Sequence, residues 1–133
     1  MRRRFAQLGR QDGQAIVEMA LILPLLAALI LGIAQFGIAY NNYITLTDAT
    51  RAGARKAAVS RFVGDNGAAA VSTVKSDAAN LDQTRLNVSV TATDWTVPGG
   101  DVTVTATYPY AIDILGWTVK SGNLTSTQKE RLE

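Results

Sequence analysis

The sequence predicts an α+β fold: a long apolar N-terminal helix that continues into water, a short second helix, and a small antiparallel sheet. Three observations carry this. Residues 19–47 hold no charged side chain, more than the roughly 20 residues a helix needs to cross a hydrocarbon core of about 30 Å. Residues 44–59 then put small and apolar side chains at helical spacing beside Arg51, Arg55 and Lys56, the pattern of a half-wet helix. From residue 86 onward apolar residues alternate with Thr, Ser and Asn, the period of a strand with one covered face.

The chain has 133 residues, with neither Cys nor His. A disulfide framework, a Cys/His zinc site and a Ser-His-Asp triad are therefore excluded. No carboxylate pair falls in a catalytic frame, so the expectation is a non-enzyme without cofactor or small-molecule substrate. The formal charge of +2 is uneven. Residues 1–13 hold Arg2, Arg3, Arg4 and Arg10 against Asp12, and the rest of the chain is slightly acidic. A basic head suits nucleic acid, but arginines in front of an apolar run are an orientation signal for a membrane segment. The expectation is membrane lipid as a partner and no nucleic acid.

Residues 21–40 form the apolar span, interrupted by Pro24, Gly32, Gln35 and Gly37, with Tyr40 and Tyr43 at its far interface. Pro24 either only kinks the helix or sets a bend. Ala28, Gly32 and Gly37 are small enough to seat a neighbouring helix. Gln35 either hydrogen-bonds across helices or lies near the outer interface. A helix that is apolar all round could not be enclosed by so short a chain. In "NNYITLTDATRAGARKAAVSRF", Ile44, Leu46, Ala49, Ala52, Gly53, Ala57 and Val59 share one side, and no proline separates residue 40 from residue 61. One continuous helix follows, with "VGDNG" at residues 63–67 as its turn.

The second helix covers residues 68–81, where Val71, Val74, Ala78 and Leu81 share a face. Leu86, Val88, Val90 and Ala92 then alternate, as do Val102, Val104, Ala106 and Tyr108, with Pro98-Gly99-Gly100 between them. This predicts an antiparallel hairpin whose apolar face the helices cover. Pro109 is expected to break the second strand, and Ile112, Ile114, Leu115 and Trp117 to return as an apolar loop or short helix, with Trp117 in the core. A last strand near residues 123–129 closes a three-stranded meander. Trp95, at the hairpin tip, and Trp117, where it is not in the core, are the candidate partner contacts.

Four basic residues flank the span on each side; Arg2, Arg3, Arg4 and Arg10, at the N-terminus, place the head in the cytoplasm. An ordinary signal peptide is the competing reading, with a small-x-small site at Gly37-Ile38-Ala39 and cleavage after Ala39. It would yield a secreted binding domain; an uncleaved signal anchor would leave a membrane-bound one.

The element "GQAIVE", Gly13 followed after four residues by Glu18, stands before the apolar run. Together with Pro24 and the later Gly53-Ala54-Arg55, and with a C-terminal part ending in "TATYPY", it resembles the TadE/TadF-like minor pseudopilins of tight-adherence (Flp) pilus systems. Met19 stands where that family favours an aromatic. The resemblance implies a pilin-like fold and cleavage by a prepilin peptidase between Gly13 and Gln14. It divides the chain into a leader (1–13), an N-terminal helix (14–62, in the membrane over about 19–40) and a small periplasmic domain (63–133). It implies a structural role in pilus assembly at the bacterial inner membrane, and hence in adhesion or biofilm formation, with other pilin subunits and the assembly machinery as partners. Glu18 would then set subunit register by pairing with the amine of a neighbour; otherwise it is solvated in the headgroup zone. Gly53 and Arg55 are candidate assembly contacts; otherwise they lie on a solvated helix face.

Overall fold

The computed structural model describes residues 5–60, 64–65 and 67–133, with side chains from Gly13 onward. The head arginines Arg2, Arg3 and Arg4, the Arg10 side chain, Arg61 and part of the "VGDNG" turn lie outside the described residues. Five elements follow in order: α1 (Phe5–Ala58), α2 (Ala68–Asp77), β1 (Asn87–Ala92), β2 (Asp101–Ile114) and β3 (Trp117–Arg131). The strands form one antiparallel meander in the order β1-β2-β3. The expected α+β architecture is the observed one.

At about 1.5 Å per residue, the 54 residues of α1 reach about 80 Å. The helix runs on through Gly13 and through Pro24, which lacks the N–H that would bond the Ala20 carbonyl. Two different chemistries share this one rod. From Ile16 to Phe36 its large apolar side chains are exposed, whereas Leu46, Ala49, Thr50, Gly53, Ala54 and Ala57 are buried. The buried positions advance by three or four, one face of a 3.6-residue helix. Ile44 and Val59, expected on that face, fall two residues out of phase and are exposed. Thr50 is buried because its hydroxyl donates to the Leu46 carbonyl one turn back.

Asp65 starts α2: its carboxylate accepts the Gly67 and Ala69 backbone N–H groups at 3.0 and 2.9 Å, placing negative charge at the positive helix end. The helix stops at Asp77, one turn short of expectation. Ala78 departs to φ −97, ψ 29, and the Gln83 side chain donates to the freed Ala78 carbonyl at 2.7 Å. The apolar face survives the change of backbone, since Val74, Ala78 and Leu81 are all buried.

β1 and β2 pair as expected, with Val88 opposite Ala106, Val90 opposite Val104 and Ala92 opposite Val102. Val102, Val104, Ala106 and Tyr108 form the core layer on which α1 and α2 lie, and Leu86 and Leu132 close it. The expected break at Pro109 is overturned. β2 continues through it to Ile114, and β3 begins at Trp117, much earlier than the expected residue 123. β1 pairs only as far as Thr107, so Pro109 sits on a stretch with one free edge, where proline is tolerated. The connection is a two-residue turn. Leu115 and Gly116 have φ of 52 and 85, the double positive φ of the hairpin turn that matches strand twist.

Two exposed loops carry a testable charge effect. The Thr84 hydroxyl and backbone N–H both bond Asp82 (2.6 and 2.9 Å), and those of Thr96 bond Asp94 (2.6 and 2.8 Å). Bonds to the ionised form hold both carboxyls below the ordinary Asp value, the side-chain bond contributing most. The folded-state value is depressed, so their contribution is complete above the unfolded Asp pKa. It is lost as pH falls through the folded value. Carboxyl carbon NMR titration should find Asp82 and Asp94 titrating below the ordinary Asp value, and Thr96→Val should raise Asp94 alone.

Candidate functional site

The N-terminal third of α1 brings together Gly13, Gln14 and Glu18. Gly13 is exposed, and a Cβ added there would meet nothing within 4 Å. Among the described residues no packing requires glycine here, which in a helix interior costs about 0.5–1 kcal/mol relative to alanine. Gln14 Nε2 donates to Glu18 Oε1 at 3.1 Å across one helical turn. The carboxylate stands at the start of the apolar run, exposed, with a polar partner of its own.

The helix Gly13–Ala58 is, among the described residues, the one helix long and apolar enough to cross a membrane, and none of its apolar window is buried. An apolar surface of this extent calls for lipid or the helices of neighbouring subunits.

The far half of the β2–β3 hairpin lies along α1 toward its N-terminus. Tyr110 and Ile112 face Phe36, Ala39, Tyr40 and Tyr43 across an apolar cavity of about 570 Å³. Phe36 and Tyr40 stack with ring centroids 6.4 Å apart. Beyond them Ile114 reaches Gly32, with its Cδ1 3.5 Å from where a Cβ would stand, beside Ala28, Leu29 and Ile33. Ala28 and Gly32, expected to seat a neighbouring helix, thus receive this chain's own hairpin tip. Gly37 faces open space. Gln35 lies with Asn42, Arg85 and Tyr108 at a smaller polar cavity of about 230 Å³. The Arg85 guanidinium sits 5.7 Å from the Tyr108 ring centroid.

Two positions need correcting. Gly53 is buried where α1 crosses α2: an added Cβ would run into Val74 Cγ2 and stand 3.2 Å from the Ala70 carbonyl oxygen. Its close approach serves the chain's own core rather than a partner, whereas Arg55 remains exposed. Trp117, expected in the core, is 82% exposed at the β2–β3 tip. Trp95 is half-buried, packed against the core and over Gly67. Sequence reasoning missed the hairpin tip; the signal was Gly116 directly before an apolar β-branched stretch, masked by Leu115 at a position usually held by Asn, Asp or Gly.

No curated protein and no solved structure matches the chain. Residues 13–55 match the family model described as TadE-like protein. The resemblance read from Gly13, Glu18, Pro24 and Gly53-Ala54-Arg55 therefore stands over the segment that holds all of them: this part of the chain is TadE-like.

Proposed function

We propose that this chain is a minor pseudopilin: a structural component of a tight-adherence pilus, held in the bacterial inner membrane by α1 with its head cytoplasmic, and cut by a prepilin peptidase between Gly13 and Gln14. The observation that carries this reading is the TadE-like match beginning at Gly13 itself, a glycine that no contact among the described residues explains. Cutting there removes all four head arginines and leaves an α-amino group, charged at neutral pH, one helical turn from Glu18. The apolar surface of α1 then serves twice, against lipid before assembly and against neighbouring subunits after it. The small domain of α2 and the sheet is carried on the periplasmic side, and adhesion or biofilm formation follows from the assembled pilus.

The signal-peptide reading is disfavoured by packing. A cut after Ala39 would remove Gly32 and Phe36, the surface on which Ile114 and part of Ile112 lie, and open the apolar side of the hairpin to water.

Sequencing the mature N-terminus, in cells that carry the peptidase, tests the proposal. The expected start is Gln14; a start at Tyr40 would establish the secreted form, and an uncut chain the membrane-anchored one. Gly13→Ala is expected to accumulate full-length precursor in the membrane fraction, because the added methyl faces the enzyme and not the chain's own core. Normal maturation of that variant would place the cut elsewhere.

A further inference from the structure

We infer that the tip of the β2–β3 hairpin, through Ile114, Leu115, Trp117 and Val119, inserts into the headgroup layer of the membrane that α1 crosses, and fixes the depth of the span at about Gly32. The inference rests on α1 being a membrane helix.

Its first support is level. The loop end of β2 sits beside the end of α1, where the Glu133 backbone N–H bonds the Ala58 carbonyl and the Leu132 N–H bonds the Gly100 carbonyl. From there to Ile114 a strand travels about 40 Å, and from Ala58 back to Gly32 a helix travels about the same. The strand thus follows the helix down to the uncharged stretch and stops on it, at Gly32. Below this seat the uncharged stretch continues down to Met19, about 20 Å of helix, with Glu18 at its inner edge. The tip thus stands on the outer half of the apolar span, residues 21–40, at the level of the headgroup layer on that side.

The second support is what the tip displays. Trp117 is 82% exposed, Val119 65% and Leu115 64%, none of them used by the core. Leu115 occupies a positive-φ turn position that a bulky side chain rarely adopts, so an apolar residue stands where the backbone favours a small polar one. A register shift next to Asp113 leaves Val119 between the pairs Ile112–Lys120 and Asp113–Thr118, a bulge that re-aims the side chains at the tip.

The third support limits how far it can go. β1 ends its pairing at Thr107, so the tip is a bare two-stranded ribbon with both edges unpaired. Open backbone edges do not occur in hydrocarbon. An apolar tip with tryptophan and unpaired edges belongs in the interface, where the indole has an apolar body and a wet N–H. Its charges agree. Asp113 is held by the Thr118 hydroxyl at 2.6 Å, and exposed Lys120 can meet anionic headgroups. A lipid surface fits what the tip shows: apolar side chains, an indole and a lysine stem match the layers of an interface.

The test uses the full chain in phosphatidylcholine–phosphatidylglycerol vesicles. In Trp95→Phe, Trp117 is the sole tryptophan. Its emission is expected to shift to the blue on reconstitution, and to be lost more to lipids brominated near the headgroup than to lipids brominated deep in the chains, at every protein-to-lipid ratio. A companion variant, Trp95→Phe/Trp117→Phe/Leu25→Trp, reports on the span and should be quenched most by the deep bromines. If the span probe is quenched while Trp117 stays open to aqueous acrylamide, the anchor is refuted and the membrane helix stands. Protection of Trp117 that appears only at high protein-to-lipid ratio, without loss to bromolipid, assigns the tip to a neighbouring chain and refutes the anchor equally. If neither probe is quenched, the membrane reading falls and the anchor with it.

Discussion

Gly53→Leu is expected to prevent α2 from docking on α1, and Gly53→Ala to weaken the domain by up to about 2 kcal/mol. The reason is the approach of the two helices. A Cβ at residue 53 runs into Val74 Cγ2, and the Ala70 carbonyl stands 3.2 Å away. Val74 is itself fully buried, with Ala70 and Ala54 around it, so it has no free direction in which to yield. Overfilling a packed site of this kind costs about 1–3 kcal/mol. For alanine, roughly 1 kcal/mol of improved helix propensity offsets part of the loss. For leucine nothing comparable does, and small domains have only about 5–15 kcal/mol in total. Denaturant unfolding in detergent, followed through the half-buried Trp95, would read both effects. The mechanism is checked by Gly53→Ala/Val74→Ala. Removing the valine methyls makes room for the new Cβ, so the pair should lose less than the two single changes added together, by about 1 kcal/mol. Additive losses, or a Gly53→Ala that is more stable than the parent, would mean that the crossing is looser than the geometry implies.

This position also shows what a linear reading can and cannot supply. Gly53-Ala54-Arg55 was visible as a motif, but whether its glycine faced a partner or the chain's own second helix depended on where Val74 lands. That is a matter of chain closure, which local pattern does not encode. The first hairpin was legible because each signal agreed: alternation on both sides and Pro98-Gly99-Gly100 between. The second was not. Pro109 reads as a stop, although the pairing of β2 with β1 ends at Thr107 and leaves it a free edge. Leu115-Gly116 did not read as a turn, because leucine hides a positive φ that its neighbour alone only hints at. With the turn went the two tryptophans. A tip residue was assigned to the core, and the residue at the end of the first hairpin, which folds back over Gly67, was left outside it. The contact of Gln14 with Glu18 is of the opposite kind: its geometry is one turn of helix, set by spacing alone.

That same turn governs the second large effect. Glu18→Ala is expected to be inserted and cut like the parent chain and yet to be missing from assembled pili. Before the cut, Glu18 has the Gln14 amide as a partner at 3.1 Å, which lowers the penalty of a carboxylate at the membrane edge without neutralising it. After a cut at Gly13, Gln14 carries a free amine, and Glu18 lies near the positive end of a new helix terminus, where negative charge is favoured. Subunits stacked in parallel can then match the carboxylate of one to the amine of the next. A hydrogen bond to a charged group contributes about 1.5–3 kcal/mol, so its loss weakens each subunit contact roughly 10- to 100-fold, and the amine left unpaired in an apolar stack weakens it further. Glu18→Gln separates charge from shape. It keeps the length of the side chain and can still bond Gln14, but it cannot neutralise an amine, so it should fail as alanine does. Quantifying the mature subunit in sheared pili against the membrane fraction reads both variants. Restoration by glutamine would assign Glu18 to the hydrogen bond with Gln14 instead of to register, and full assembly of both would return it to a solvated carboxylate in the headgroup layer. On the proposed reading the order of events matters for the physics: maturation would create the counter-charge, so the same residue would be a liability in the precursor and a contact in the filament.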